Sequence, residues 1–162
     1  MDANEIMKAT ATPEQYATLE QMTVQERIRR ATEGGEVYVP NTLSPGQSFA
    51  FQPDPESYEF AHKAQATVAP SWRDEVTMSS IGACLEYAPA RSIDLIAPRP
   101  LLMFLAKSDP IAPPDTIRAA FARAGEPKRL VEVEGTHYSP YLEAAAQTSR
   151  GAVDWFSEHL KA

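Results

Sequence analysis

An aspartate and a histidine each follow a short apolar segment. Asp109 comes after Leu101 to Ala106, and His137 comes after Leu130 to Val133. A carboxylate can hold an imidazole in one tautomer and stabilise the imidazolium that forms when the ring takes up a proton. The order acid then base is that of the last two members of a Ser–Asp–His triad. The pattern therefore predicts a catalytic Asp109–His137 pair, against the alternative of a turn-capping aspartate and a loop histidine bonded to backbone.

The nucleophile of such a triad is missing from this sequence. A triad serine occupies a strained strand-to-helix turn with the pattern G-x-S-x-G, which occurs nowhere in the 162 residues. Ser79 and Ser80 are predicted in the middle of a helix and precede both the acid and the base. We therefore expect neither serine to be a nucleophile, and the sequence predicts the C-terminal half of an enzyme.

The remaining reactive side chains favour structural roles. Cys84 is predicted to be a small buried apolar residue, and His62 and His159 are predicted on helix surfaces. Trp72 to Glu75 is predicted as a helix start that packs its tryptophan on the core. No cluster of histidine, aspartate or glutamate has the spacing of metal ligands, so we expect no metal and no other cofactor.

A strand–helix–strand unit is predicted to position the pair. Residues 101–106 are continuously apolar, which is typical of a strand buried on both faces of a parallel sheet. Residues 113–115 open a helix that ends near Gly125, and residues 130–133 form the second strand. Parallel neighbouring strands bring their carboxyl ends to one edge, where open α/β sheets hold their sites. Such a pair needs further strands beside it, and nothing earlier in the chain supplies them.

The first part of the chain is predicted to be helical. Thr12 to Gln15 and Thr23 to Glu26 both have the capping-box pattern, which predicts two short helices ended by Gly34-Gly35. Residues 38–55 are predicted as a loop by their Pro, Gly, Asn and Ser content. Another helix is predicted from Asp54 to about Gln65. No strand alternation appears here, so we expect a helical unit without a sheet of its own.

Two further helices flank the predicted strands. Ser71 can cap a helix that continues to about Tyr87, and a last helix spans about Ala144 to Leu160. The last helix is expected to bury three residues, Val153, Phe156 and Leu160. We place the boundary between a helical region, residues 1–70, and an α/β region, residues 71–162, ahead of Ser71.

Composition and charge exclude several classes of partner. A net charge of −7 argues against nucleic acid and against anionic membranes. The sequence lacks an apolar run of about 18 residues that would span a membrane, and its first residues lack the apolar core of a secretory signal. A single cysteine excludes an intrachain disulfide. We therefore expect a cytoplasmic protein, with neither nucleic acid nor a membrane as its partner.

Four motifs in the second half resemble those of one enzyme family. Trp72 to Val76 is similar to a W-R-N-E-V helix start, and Ile96 to Leu102 to an I-x-P-x-P-L-L strand start. Asp109 to Pro114 resembles a D-x-x-x-P-P acid turn, and Gly135 to Tyr141 a G-x-H-F-x-x-Y histidine loop. The family is the α/β-hydrolases of the dienelactone-hydrolase and polyketide-transferase-like group. The resemblance covers about residues 50–160, and the preceding residues resemble the lid inserted after the family's sixth strand.

The resemblance implies a partial α/β-hydrolase fold, with a helical lid followed by a parallel βαβ unit and a C-terminal helix. It makes Asp109 the triad acid and His137 the base, and it places the nucleophile on no residue. Asp74 stands where the family usually has Asn, and Tyr138 where it usually has Phe. The larger departure is the missing N-terminal half, which in the family holds the early strands, the oxyanion hole and the nucleophile elbow.

The resemblance implies hydrolysis of an ester, thioester or lactone, or acyl transfer. In the parent reaction a serine attacks, His137 moves its proton and Asp109 orients the ring, without a cofactor. We expect the chain alone to be inactive. The alternative is a non-catalytic interaction module completed by a partner chain or by self-association. A third interpretation, a hydrolase that depends on Ser79 or Ser80, is disfavoured by chain order.

Overall fold

The computed structural model describes residues 2–160, whose contacts divide the chain after Tyr87. Residues 3–87 form the first unit, and Asp2 forms the second unit together with residues 88–160. The sequence instead predicts a boundary at residue 70. Residues 71–87 join the first unit because the helix that they contain supplies side chains to its core.

Four helices and one short strand pair build the first unit. The elements are α1 (Ala3–Thr10), α2 (Pro13–Glu33), β1 (Tyr38–Val39), α3 (Pro55–Thr67), β2 (Val76–Thr77) and α4 (Met78–Glu86). The predicted absence of a sheet is wrong, because β1 and β2 pair as a two-residue antiparallel ladder. The core contains Leu19 of α2 with Met78, Ile81 and Leu85 of α4. Burying each of these side chains stabilises the unit by roughly 1.5–3 kcal/mol.

Helix α2 begins at the predicted capping box and runs through the second one. The Thr12 hydroxyl accepts the Gln15 N–H at 3.2 Å, and the Gln15 side chain accepts the Thr12 N–H at 2.8 Å. The predicted helix start at Thr23 is wrong. Thr23 is buried against Gly82 of α4, and its hydroxyl donates to the Glu20 carbonyl. Tertiary packing therefore keeps this part of the chain helical.

The starts of α3 and α4 are each set by a capping side chain. Asp54 accepts the Ser57 N–H at 2.7 Å, which confirms the predicted start of α3. The predicted start of the next helix at Ser71 is wrong, since α4 begins at Met78 with Thr77 as its N-cap. Residues 76–77 are extended in β2 and pair with β1, so the helix cannot form before them.

The second unit contains the predicted strand–helix–strand arrangement. Its elements are a 3-10 helix (Pro89–Ile96), β3 (Leu101–Ala106), α5 (Pro114–Arg123), β4 (Lys128–Val133), a 3-10 turn (Ser139–Tyr141) and α6 (Ala145–His159). Strands β3 and β4 are parallel and in register from the pair Leu101–Lys128 to the pair Ala106–Val133. The predicted parallel βαβ unit with a C-terminal helix is therefore confirmed.

Each face of β3 is covered by a helix. Leu105 packs with Ile117 of α5, whereas Phe104 lies against Gly151 of α6. Because successive side chains of a strand point to opposite faces, α5 and α6 cover opposite faces of β3. This cover explains why the strand is apolar along its whole length.

Helix α6 is rotated relative to the prediction. Val153, Phe156 and Leu160 are 63%, 55% and 70% exposed, so their predicted burial is wrong. Trp155 is buried instead, on the same side of α6 as Gly151. The small Gly151 allows the helix to approach Phe104, and Arg129 of β4 lies over the Trp155 ring. These contacts select the inward face.

No helix within residues 2–160 combines the length and the apolar composition that crossing a bilayer requires. The longest, α2, has 21 residues but carries charged side chains along its whole length.

Candidate active site

Asp109 and His137 meet beyond the ends of the two parallel strands. Nδ1 of His137 lies 2.8 Å from Oδ2 of Asp109, which confirms their predicted proximity. The Asp109 side chain is 6% exposed and the His137 side chain 30% exposed. A buried carboxylate is thus paired with an imidazole that solvent still reaches.

The backbone of the two loops continues the strand pairing toward the pair. The Lys107 N–H donates to the Val133 carbonyl, and the Ser108 N–H donates to the Gly135 carbonyl, both at 3.0 Å. Asp109 follows directly after these bonds. The parallel ladder therefore extends into both loops and fixes the acid loop beside the histidine loop.

Each oxygen of the Asp109 carboxylate has a separate role. Oδ1 accepts the backbone N–H groups of Ile111 at 2.9 Å and Ala112 at 2.8 Å. Oδ2 faces His137. The turn-capping role and the pairing role, which the sequence presents as alternatives, are both present in one side chain. The cap holds the carboxylate in place so that its second oxygen can engage the ring.

The environment of Asp109 keeps its carboxylate ionised. Burial raises the pKa of this carboxyl, but hydrogen bonds from His137, Ala112 and Ile111 and the nearby His137 charge outweigh burial and hold the pKa below its ordinary value. An ionised carboxylate is only an acceptor, so Nδ1 of His137 donates to it. This contact selects the ring tautomer with its proton on Nδ1.

The histidine loop is a tight turn. Gly135 has a φ of +105°, a backbone conformation that residues other than glycine rarely adopt. The Tyr138 ring meets the His137 ring edge-on, with centroids 4.9 Å apart and an interplanar angle of 86°. The His137 ring is therefore held by Asp109 at Nδ1 and by the neighbouring Tyr138 ring.

Ser79 and Ser80 belong to the first unit. They lie in the first turn of α4, so their predicted position in mid-helix is wrong. The Ser79 hydroxyl donates to Glu36 at 2.7 Å, and the Ser80 N–H donates to the Thr77 hydroxyl at 3.1 Å. Ser79 is thus bonded to the Glu36 carboxylate, and Ser80 is bonded to Thr77, the N-cap of α4.

Cys84 and two histidines differ in burial from the sequence prediction. Cys84 is half-buried rather than buried, and His62 and His159 are half-buried rather than on the surface. The His159 ring packs on Trp155 with centroids 4.0 Å apart. Aromatic rings contact both histidines, which hydrophobic periodicity alone does not predict.

A polar contact in the first unit was not predicted from the sequence. Asp74 accepts the Thr42 N–H at 2.8 Å and the Thr42 hydroxyl at 2.9 Å. Nε2 of His62 lies 3.7 Å from the same carboxylate. Trp72 is not at a helix start as predicted; it lies in the loop before β2 and meets the His62 ring edge-on. Residues far apart in sequence form this contact, so local patterns carry no signal for it.

Within the described residues, no group of three or more His, Cys, Asp or Glu side chains is placed to hold a metal ion.

Solved structures share this fold. No protein-family model and no curated protein matches the chain. The crystal structure of the α/β hydrolase GrgF from Penicillium sp. sh18 is 17% identical, with a TM-score of 0.72, and the match covers 93% of this chain and 51% of that one. A hypothetical protein from Pseudomonas aeruginosa is 22% identical, with a TM-score of 0.68, and the match covers 97% and 50%.

A third solved structure is a monoacylglycerol lipase from Paleococcus ferrophilus. It is 20% identical, with a TM-score of 0.58, and the match covers 86% of this chain and 52% of the lipase. The chain therefore spans about half the length of these structures. The chain has the fold of part of an α/β-hydrolase, as the sequence predicts.

Proposed function

We propose that this chain is the C-terminal portion of a serine-type α/β-hydrolase, bearing its acid and its base. The bond attacked is that of an ester, thioester or lactone, with acyl transfer as the related reaction. The observation that carries the proposal is the 2.8 Å contact between Asp109 and His137 beyond the ends of adjacent parallel strands. The likeness to α/β-hydrolase structures supports the proposal at the level of the fold.

In the complete enzyme, Asp109 and His137 act on a serine hydroxyl. Because the carboxylate accepts the Nδ1 proton, the lone pair of the neutral ring lies on Nε2. Nε2 takes the serine proton as the oxygen attacks the acyl carbon, and then passes it to the leaving group. Asp109 stabilises the imidazolium between these two transfers.

The same proposal covers the rest of the molecule. Residues 1–70 act as a lid-like region, the partner is a small acyl substrate, and no cofactor takes part. A net charge of −7 supports a partner other than nucleic acid or an anionic membrane surface. We assign the protein to the cytoplasm, where a single free thiol such as Cys84 stays reduced.

The proposal requires a serine and an oxyanion hole from polypeptide outside these 162 residues, since they contain no G-x-S-x-G. We therefore expect the isolated chain to hydrolyse activated acyl esters no faster than its His137→Ala variant does. Saturable turnover that disappears in Ser79→Ala or Ser80→Ala would contradict this expectation and would favour the third interpretation.

The decisive experiment adds the polypeptide encoded directly upstream of Met1. The product is treated with a fluorophosphonate probe, which labels activated serines. We expect labelling of a serine in the added part, with at least about a hundredfold loss of rate in His137→Ala. His159→Ala is the matched control and is expected to label normally. An upstream sequence without a candidate nucleophile, or labelling that is indifferent to His137, would refute the proposal.

A second candidate function is a non-catalytic interaction module. The Leu101 N–H donates to the carbonyl of Pro127, just before β4, and the Lys107 N–H donates to the carbonyl of Val133 at the end of β4. By strand alternation, the backbone groups of residues 102, 104 and 106 point away from β4. Within the described residues β3 pairs with β4 alone. The other edge of β3 is a template for a further strand, and a partner chain or a second copy would then complete the half-fold.

A further inference from the structure

Ser139 makes two reciprocal hydrogen bonds with a neighbour of the candidate base. Its hydroxyl oxygen accepts the Thr136 N–H at 3.0 Å, and its own N–H donates to the Thr136 carbonyl at 3.1 Å. Both polar groups of the Thr136 backbone are thus engaged by one residue. His137 lies between the two ends of this closed turn, so its position depends on the turn.

Gly135 and Ser139 fit against each other at the base of the same turn. A Cβ atom on Gly135 would lie 2.2 Å from the Ser139 hydroxyl oxygen and 2.6 Å from its Cβ. Heavy atoms do not approach this closely without displacement. Only glycine therefore leaves room for the Ser139 hydroxyl where it accepts the Thr136 N–H.

Ser139 is also anchored on its other side. Its carbonyl accepts the N–H groups of Leu142 at 3.1 Å and Ala144 at 2.9 Å, just ahead of α6. The next carbonyl, that of Pro140, accepts the Thr148 hydroxyl of α6 at 2.9 Å. Ser139 itself is only 9% exposed. The backbone carbonyls of Ser139 and Pro140 thus tie the histidine loop to a helix that packs on β3, while the Ser139 hydroxyl bonds within the loop.

We infer that Ser139 is a positioning residue for the Asp109–His137 pair, acting through the Thr136 backbone rather than by contact with a substrate. A displacement of the ring by about 1 Å would lengthen its 2.8 Å contact with Asp109 beyond hydrogen-bonding distance. Loss of the hydroxyl would leave the Thr136 N–H to find another acceptor, which requires the turn to rearrange. The consequence for catalysis rests on the proposed function.

The test is NMR of the imidazole nitrogens in the isolated chain. At about pH 8.5, where an ordinary histidine is neutral, the ring of His137 is expected with its proton on Nδ1. In Ser139→Ala we expect the population of this tautomer to fall at least about twofold. His62 and His159 are internal references, and Ser157→Ala, which changes an exposed serine of α6, is the matched control.

Each outcome decides the inference. A folded Ser139→Ala variant with an unchanged His137 tautomer would overturn it. If the His62 and His159 signals also shift, the substitution has unfolded the chain, and the nearly isosteric Ser139→Cys decides instead. A change confined to His137 in that variant supports the inference, and an unchanged His137 with intact references overturns it. No step requires activity, so failure of the proposed function would be seen separately.

In an active longer protein the same variant offers a second readout. Ser139→Ala is expected to lower kcat while KM stays close to its original value, because the substrate does not contact Ser139. An unchanged kcat, in a protein whose labelling requires His137, would overturn the catalytic consequence of the inference.

Discussion

The Asp109 carboxylate shows how one side chain joins local structure to chemistry. Its cap on Ile111 and Ala112 is a local interaction, whereas its contact with His137 joins two strands. A buried carboxylate without such donors would be costly to ionise. Here three N–H groups stabilise the anion, so the residue is ionised and keeps the imidazole in one tautomer.

Asp109→Asn tests the pairing role of the carboxylate. An amide still offers an oxygen to the turn but carries no charge, so the preference of His137 for the Nδ1 proton is expected to disappear. We expect a loss of about 1.5–3 kcal/mol in the free energy of unfolding, the range for a hydrogen bond to a charged group. Chemical denaturation and histidine NMR check the two effects.

The control for this variant is Asp115→Asn. Asp115 is also an acid of the α5 region, but its side chain is 97% exposed and pairs with Arg118 on the surface. Exposed ion pairs contribute little to stability, so the unfolding midpoint should barely move. Equal destabilisation by both substitutions would contradict the special role of Asp109.

The lowered pKa of Asp109 predicts a pH dependence of stability. A carboxyl whose pKa is lower in the folded than in the unfolded chain contributes stability at higher pH, and that contribution is lost as pH falls through the folded pKa. We expect the second unit to lose stability below about pH 4, and expect Asp109→Asn to remove part of that slope. Unfolding is followed by Trp155 fluorescence in a Trp72→Phe background; an unaltered slope would argue against an ionised Asp109.

At the scale of elements, the turn after β4 determines where the base lies. Gly135 supplies a conformation with positive φ, and Ser139 closes the turn. Strand β4 brings the chain to the edge, but the turn decides the direction of the His137 ring. The acid loop and the histidine loop are then joined by backbone bonds that extend the parallel ladder.

Gly135→Ala is expected to be more destabilising than an equivalent change elsewhere. Gly46→Ala is the matched control, because Gly46 also has a positive φ of 86° but a Cβ atom added to it would meet no other atom within 4 Å. The backbone strain alone costs of order 1–3 kcal/mol, and the clash with Ser139 adds to it only at Gly135. Thermal unfolding by circular dichroism compares the two; equal effects would mean that the turn accommodates the methyl group.

At the scale of the whole molecule, the second unit has both exposed apolar side chains and a strand edge that is unpaired within the described residues. Val153 and Phe156 of α6 are exposed, and so is Leu160 directly after the helix. Tyr141 and Leu142, at the end of the histidine loop, are also exposed. Exposed apolar surface and unpaired strand edges both favour association.

We therefore expect the isolated chain to be oligomeric or marginally stable. Size-exclusion chromatography with light scattering gives its mass, and thermal unfolding gives its cooperativity. A discrete dimer that weakens in Phe156→Glu would support association through α6. Aggregates without a cooperative transition would indicate an incomplete fold. A monomer with a sharp, reversible transition would contradict the expectation.

The sequence by itself determined the features that depend on neighbouring residues. The helix starts at Thr12 and Asp54 follow from side chains that cap backbone groups three residues away. The two strands and the helix between them follow from a continuous apolar run and a periodic one. Parallel strands bring their carboxyl ends together, so the meeting of Asp109 with His137 was also predictable.

Only the tertiary structure decided which of several locally acceptable choices was made. Thr23 does not start a helix as its capping pattern predicts, because it packs against Gly82 inside a longer helix. The inward face of α6 is not the predicted one, because Trp155 is buried on the same side as Gly151. Ser139 carries no recognisable signal in the sequence, because its role arises from a turn that closes on a glycine. A cap at Thr23 would contribute only about 1 kcal/mol, which is less than the burial of the large side chains that α2 and α4 bring into one core.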